Sequence, residues 1–224
     1  MGVAGAQNRD WEDLDSFTLD GKPYLLIADT GDNEAKHGRS RLHAVEEPEP
    51  RATTKAAVAW TVDFAYPDGP HDCEAIAVDP AGGRALLLTK RDTPPRIYSV
   101  PLRAAAEGAV VPAEFIATFD SLSSAAPHAR RMPWALLPDR PTAWDITPEW
   151  IAVLTYGRVL AFPRAGGESV IESLAREPAS LPLSGGFKGE ALALAATASM
   201  YVTGEGTHAP ILASTCVCEG CRVP

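Results

Sequence analysis

Four acidic residues, Glu12, Glu74, Asp145 and Glu190, are the side chains on which this chain could build a reactive site. Each opens a short segment with alternating apolar positions, as in Cys73-Glu74-Ala75-Ile76-Ala77-Val78 and Gly189-Glu190-Ala191-Leu192-Ala193-Leu194. Alternation is the period of a half-buried strand. Strands of one kind set side by side bring their acids together, and like charges held close have three outcomes. They raise one another's pKa, they bind a cation, or they pair with bases and backbone amides. The first outcome makes a catalytic carboxylate. The second calls for a hard cation such as Ca2+, which takes about six to eight oxygens. Glu12, Glu74, Asp145, Glu190 and Asp32 are then the metal ligands, with Asp13, Asp29, Asn33 and Asp72 adding oxygen on the same face. The third makes the acids locks between strands, with Lys90, Arg91 or Lys188 as partners.

His71, beside Asp72, has the chemistry of a general base for hydrolysis, and Glu74 is the other candidate catalytic group. A histidine after Pro-Asp-Gly-Pro is equally a surface-loop residue. The run Asp29-Thr30-Gly31-Asp32-Asn33-Glu34 is rich in oxygen ligands but lacks the EF-hand spacing, and it also reads as an Asx-rich turn. Cys216, Cys218 and Cys221 stand at CxCxxC spacing. With His208 they could hold zinc, but only one knuckle is present, and a disulfide or a free thiol tail fits the same residues. No Walker loop, nucleophile elbow, His-Glu-x-x-His or dinucleotide fingerprint occurs.

The acids need elements to position them. Beyond each acid, by roughly 11 to 17 residues, an apolar strand breaks into a polar turn at Asp29, Lys90, Tyr156 and Glu205. These four residues and Trp11 are the candidate ligand-binding set. Strand pairs recurring at intervals of roughly 45 to 70 residues are the pattern of propeller blades with inserted loops. The prediction is an all-β propeller with four visible blades, one domain over residues 1–215, and a Cys-containing tail over 216–224. In the first blade, strands are predicted at Leu14–Leu19, Tyr24–Ala28, Arg41–Val45 and Ala57–Phe64. In the second they fall at Ala75–Val78, Ala85–Thr89, Arg96–Val100 and Glu114–Phe119, and the Ala-rich Arg103–Gly108 stretch predicts one helical turn. Ser121–Arg140 reads as an inserted loop. A third blade covers Thr142 to about Leu183, and a fourth has strands at Ala191–Ala195, Met200–Thr203 and Pro210–Ser214.

The chain has 224 residues, 46% of them hydrophobic, enough for a sizeable core. Its net charge of −9 disfavours nucleic acid and anionic membrane surfaces as partners. No apolar run is long enough to span a bilayer, and the N-terminus carries no signal-peptide pattern. A small ligand, a cation or a protein partner remains.

Asn8-Arg9-Asp10-Trp11-Glu12-Asp13, Asp29-Thr30-Gly31-Asp32-Asn33, Tyr66-Pro67-Asp68-Gly69, Asp72-Cys73-Glu74-Ala75, Asp145-Ile146-Thr147-Pro148 and Gly189-Glu190-Ala191 together resemble a family of exported bacterial β-propeller-like proteins of unknown function. The strands are more distantly similar to phytase-like esterase propellers. The resemblance implies export to the periplasm or beyond. It also implies a further N-terminal blade, so that the four visible blades would be an N-terminally truncated five-bladed ring. The leading functional expectation is a ligand- or metal-ion-binding propeller. The alternatives are a metal-assisted hydrolase of esterase, lactonase or phosphoesterase type, and a protein-interaction scaffold.

Overall fold

A computed structural model describes residues 2–49, 56–122, 139–183, 187–195 and 199–214. Cys216, Cys218, Cys221 and most of the 121–140 loop lie outside the described residues. The chain divides into two compact units, Met1–Arg91 with Arg96–Ile116, and Asp92–Pro95 with Ala117–Pro224.

The first unit holds two sheets. Its first sheet runs β1 (Val3–Ala4), β5 (Ala56–Ala65), β4 (Ser40–Glu46), β3 (Lys22–Asp29), β2 (Trp11–Leu19). Strands β2 to β5 form an antiparallel meander. The β2–β3 connection is the two-residue turn Asp20-Gly21, whose φ values of 53° and 77° suit the twist of a hairpin. The second sheet runs β10 (Glu114–Thr118), β8 (Arg96–Pro101), β7 (Arg84–Thr89), β6 (Cys73–Asp79). Between β8 and β10 in sequence, β9 (Val110–Pro112) returns to the first sheet and pairs parallel with β5.

Every residue of β6 is buried, which accounts for the run of small and apolar side chains at Ala75–Val78. The core of this unit packs Phe17, Tyr24, Leu26, Leu42 and Phe64 of the first sheet against Ile76, Val78, Leu87 and Tyr98 of the second. Trp60 closes the end of that core, meeting Tyr24 edge-on at 4.7 Å and donating its indole N–H to Leu102 O at 2.6 Å.

The second unit repeats the plan with β11 (Pro141–Ile146), β12 (Trp150–Thr155), β13 (Arg158–Pro163) and β14 (Ala179–Pro182) in one sheet. Its other sheet has β15 (Ala191–Leu194), β16 (Met200–Thr203) and β17 (Leu212–Ser214). Leu154, Val159 and Leu181 pack with Leu192, Met200 and Val202 in its core. A short helix, α1 (Val170–Leu174), joins β13 to β14. Ser169 and Glu172 start it with a reciprocal capping box.

The predicted strands are found, most of them longer by one to three residues than the apolar alternation alone delimits. Arg103–Gly108 is a set of turns and bends rather than a helical turn. Gly108 takes a φ of 72°, and the Arg103 guanidinium sits 4.3 Å over the Trp60 ring, so packing overrides the helical preference of the alanines. The pairings of β1 and β9 with β5, and the helix α1, go beyond the predicted elements.

Candidate functional site

In the first unit the acids are delivered by the starts of β2 and β6. The register of β2 on β3 skips Glu12, and the register of β6 on β7 skips Glu74, a β-bulge at the same place in each strand. A bulge re-aims a side chain, and the two glutamates converge. Carboxylate oxygens of Glu12, Asp72 and Glu74 all lie within 4.8 Å of one another, a grouping that could hold a metal ion.

The surroundings of each are distinct. Glu74 pairs with Lys90, and both side chains are buried. Asp72 accepts from Arg91 Nε at 2.6 Å and from the Asp32 amide at 2.9 Å, while Arg91 also donates to Asn33 Oδ1. Glu12 is half-buried and has no hydrogen-bond donor among the described residues. Burial first, then the charges of Glu74, Asp10 and Asp72, push its carboxyl up to about 8, against a smaller lowering by Lys90. Four carboxylates, those of Asp10, Glu12, Asp72 and Glu74, thus share two cations.

The local backbone is built for this crowding. Thr30 Oγ1 donates to Cys73 O at 2.7 Å, and the Lys90 amide donates to Asp72 O at 2.9 Å, tying the exits of β3 and β7 to the start of β6. A Cβ on Gly31 would stand 2.3 Å from Glu12 Oε1 and 2.5 Å from Asp10 Oδ2, so only glycine lets the two carboxylates approach here. Asp29 Oδ1 accepts from the Arg9 and Asp10 amides at 3.2 and 2.8 Å, which aims the chain into β2. Asp32 closes its own loop, accepting from the Lys36 and His37 amides at 3.0 and 2.8 Å. Asp29 and Asp32 therefore shape the backbone around the acidic group. Trp11 is half-buried beside Glu12, its ring 6.4 Å from His43.

Asp13 and Asp15 act differently. Asp13 Oδ2 accepts from the Ile76 amide at 2.8 Å, and Asp15 Oδ2 from the Val78 amide at 2.6 Å. Their other oxygens accept from the amides of Leu14 and Ser16. These carboxylates satisfy the edge of β6 that β7 leaves unpaired, and so bind one sheet to the next.

His71 lies in a separate cluster. Its Nε2 is 3.1 Å from both Asp68 Oδ1 and Tyr98 Oη, and the Tyr98 hydroxyl is 2.8 and 2.9 Å from the two Asp68 oxygens. Burial drives the Tyr98 hydroxyl up to about 12. Cys73 is likewise pushed up to about 12 by burial, which makes its thiol inert.

In the second unit, the register of β11 on β12 skips Thr142, which holds there the place of Glu12 and Glu74. Thr142 Oγ1 donates to Gly189 O at 2.8 Å. Asp145 holds the place of Asp15: its Oδ1 accepts from the Ile146 amide and its Oδ2 from the Leu194 amide, both at 2.6 Å. Burial raises its pKa, against the lowering effect of those two bonds. Glu190 pairs with Lys188, whose ammonium lies 4.3 Å above the Tyr156 ring. Glu205 is exposed after β16.

Of the predicted metal ligands, Glu12 and Glu74 thus come together, with Asp72 as the third member. Asp32 supports that group through its backbone amide, and Asp145 and Glu190 belong to the second unit. Lys90, from the predicted ligand-binding set, is the buried partner of Glu74. Asp15 escaped prediction, although the acid-x-acid alternation of Asp13 and Asp15 on one strand face was its available signal.

Four meander sheets define an all-β propeller with four blades, and the first strands of two of them open on the acids Glu12 and Glu74. No protein-family model matches the sequence, and no curated protein does. Several solved structures are similar to it, two of which follow. One is the hydrazine synthase of Kuenenia stuttgartiensis, at 14% identity and a TM-score of 0.42, over 92% of this chain and 47% of that one. The other is a Bacteroides uniformis protein described as a "putative 6-phosphogluconolactonase", at 13% identity and a TM-score of 0.45, over 92% of this chain and 54% of that one. The chain spans about half the length of each. Likeness at this identity carries no chemistry across. Among the described residues, no helix is long and apolar enough to cross a membrane.

Proposed function

We propose that this propeller is a binding protein that takes a divalent cation, Ca2+ in the first instance, on Glu12, Asp72 and Glu74. One observation carries the reading: three carboxylates stand within 4.8 Å of one another, and among the described residues Glu12 forms no ion pair. Lys90 and Arg91 neutralise Glu74 and Asp72, so once Glu12 gives up the proton that its raised pKa retains, it and Asp10 carry excess negative charge. A hard cation coordinated by carboxylate oxygen relieves that excess without moving the backbone. Asp29, Asp32 and Gly31 hold the loop against it, and Trp11 flanks it.

The test is a thermal melt in chelator and then in calcium. A ligand bound only by the native state at a hundred times its Kd adds about 2.7 kcal/mol, or about 5 to 10 °C for a domain of this size. A cooperative melt that does not move with calcium, magnesium or manganese overturns the proposal.

A hydrolytic reading is favoured by a different observation. Burial and the neighbouring carboxylates push the Glu12 carboxyl up to about 8, beside the Lys90-paired Glu74. That is the arrangement of a general acid next to a carboxylate. Turnover on a panel of esters, lactones and phosphoesters, lost in Glu12→Gln, would establish it. Absence of turnover leaves the binding protein.

A further inference from the structure

The second unit contains a cation-holding arrangement of its own. Tyr156 follows β12, Lys188 and Glu190 precede β15, and Glu205 follows β16. Backbone contacts pin these three segments to one another. The Gly189 amide donates to Tyr156 O at 3.3 Å, and the Glu190 amide to Thr203 O at 2.9 Å. A Cβ on Gly204 would stand 2.6 Å from Lys188 O, so glycine there lets the segment before β15 lie flat on the end of β16.

On this frame the Lys188 ammonium sits 4.3 Å from the centroid of the Tyr156 ring and pairs with the Glu190 carboxylate. Glu205 adds a second negative charge to its surroundings. An aromatic face with carboxylates around one ammonium is the chemistry by which proteins recognise amines. Lys188 shows that the arrangement accepts that group, because it is the cation seated there. It is also a weak occupant. Its side chain is 48% exposed, and exposed ion pairs and cation–π contacts contribute little each.

We propose that Tyr156, Glu190 and Glu205 form a binding site for a primary alkylammonium group, and that Lys188 is its built-in competitor. The incoming group is a lysine side chain of a partner polypeptide or a free diamine. Either displaces Lys188 into solvent and takes over its contacts with the ring and the Glu190 carboxylate, with Glu205 adding negative charge nearby. The competitor sets a threshold, so that single amines at low concentration are refused and ligands with additional contacts are admitted.

The test titrates Nα-acetyl-lysine amide and 1,4-diaminobutane into the full chain, wild type and Lys188→Ala, at constant ionic strength. The Tyr156 ring signals are followed by NMR. Removing the competitor tightens binding by about tenfold, the combined worth of one exposed ion pair and one cation–π contact. Adding Tyr156→Ala to that background abolishes it. A preference for the diamine identifies the free amine as ligand, and equal or tighter binding of the capped lysine identifies a polypeptide. Equal affinity in wild type and Lys188→Ala, or binding that survives Tyr156→Ala, overturns the proposal. Should Lys188→Ala lose its cooperative melt, Lys188→Gln keeps the stem and enters the same titration.

Discussion

Replacing Glu12 by glutamine separates a strained acidic site from a structural one. The Glu12 carboxyl is raised from 4.5 to about 8, so the folded protein holds a proton there that the unfolded chain releases. The resulting stability is fully present below pH 4.5 and is lost as pH rises toward 8. At about 1.4 kcal/mol for each pH unit the full loss would be about 4 to 5 kcal/mol. Glu12 is only half-buried, and solvent screening reduces this to about 1 to 2 kcal/mol. Glutamine cannot ionise and escapes the loss. In chelator at pH 8.5 the Glu12→Gln protein should therefore melt about 2 to 8 °C above wild type. At pH 4.5 the two should melt together. In calcium the order should reverse, because the variant lacks a ligand that wild type uses. Differential scanning calorimetry across pH, with and without calcium, reads all three comparisons. A variant that melts below wild type in chelator at pH 8.5, or a difference independent of pH, refutes the reasoning.

Four other substitutions probe the packing around the acids. Lys90→Met strands the buried Glu74 carboxylate and should cost about 3 to 5 kcal/mol in chelator by urea denaturation, with part of the loss recovered in calcium. Gly31→Ala forces Glu12 and Asp10 apart, and should cost about 1 to 3 kcal/mol and weaken the calcium response, read by the same melts. Asp15→Ala and Asp145→Ala each orphan a backbone amide, of Val78 and Leu194 respectively, and should each cost about 1 to 3 kcal/mol without altering cation binding.

Much of the fold was legible because the strands alternate and the turns between them carry glycine, proline and aspartate. The exceptions share a cause. Val3–Ala4 and Val110–Pro112 are too short to show a period, and both are held by parallel pairing with β5, a tertiary contact without local signature. The five-residue helix is also too short for periodicity, although Ser169-x-x-Glu172 announces its start.

At the site, Glu12 and Glu74 follow the same pattern and sit on the same bulge, and their carboxylates lie together. Asp145 shares the motif but not the phase. Thr142 occupies the bulge in its strand, and a bulge depends on the partner strand, which the local pattern does not report. The short interval from Asp145 to Tyr156, roughly 11 residues against 15 to 17 elsewhere, was the visible trace of that offset. Burial of Glu74 with Lys90, and the rise in the Glu12 pKa that accompanies it, depend on packing that no spacing encodes.

The chain of the second sheet detours through β9 before it completes β10, and this has a consequence for how the first unit comes apart. Residues 110–112 lie on the outer edge of β5 at Asp63–Ala65, and residues 3–4 lie on the same edge at Ala56–Ala57. Peeling the two sheets apart requires breaking the pairing of β9, which lies in sequence between strands of the second sheet, with β5 of the first, so native-state hydrogen exchange in the two should report one opening event. Two short segments also occupy much of the hydrogen-bonding row that a ten-residue edge strand would otherwise offer to a neighbouring molecule. A strand of that length left bare is a template for aggregation, and these segments shield it.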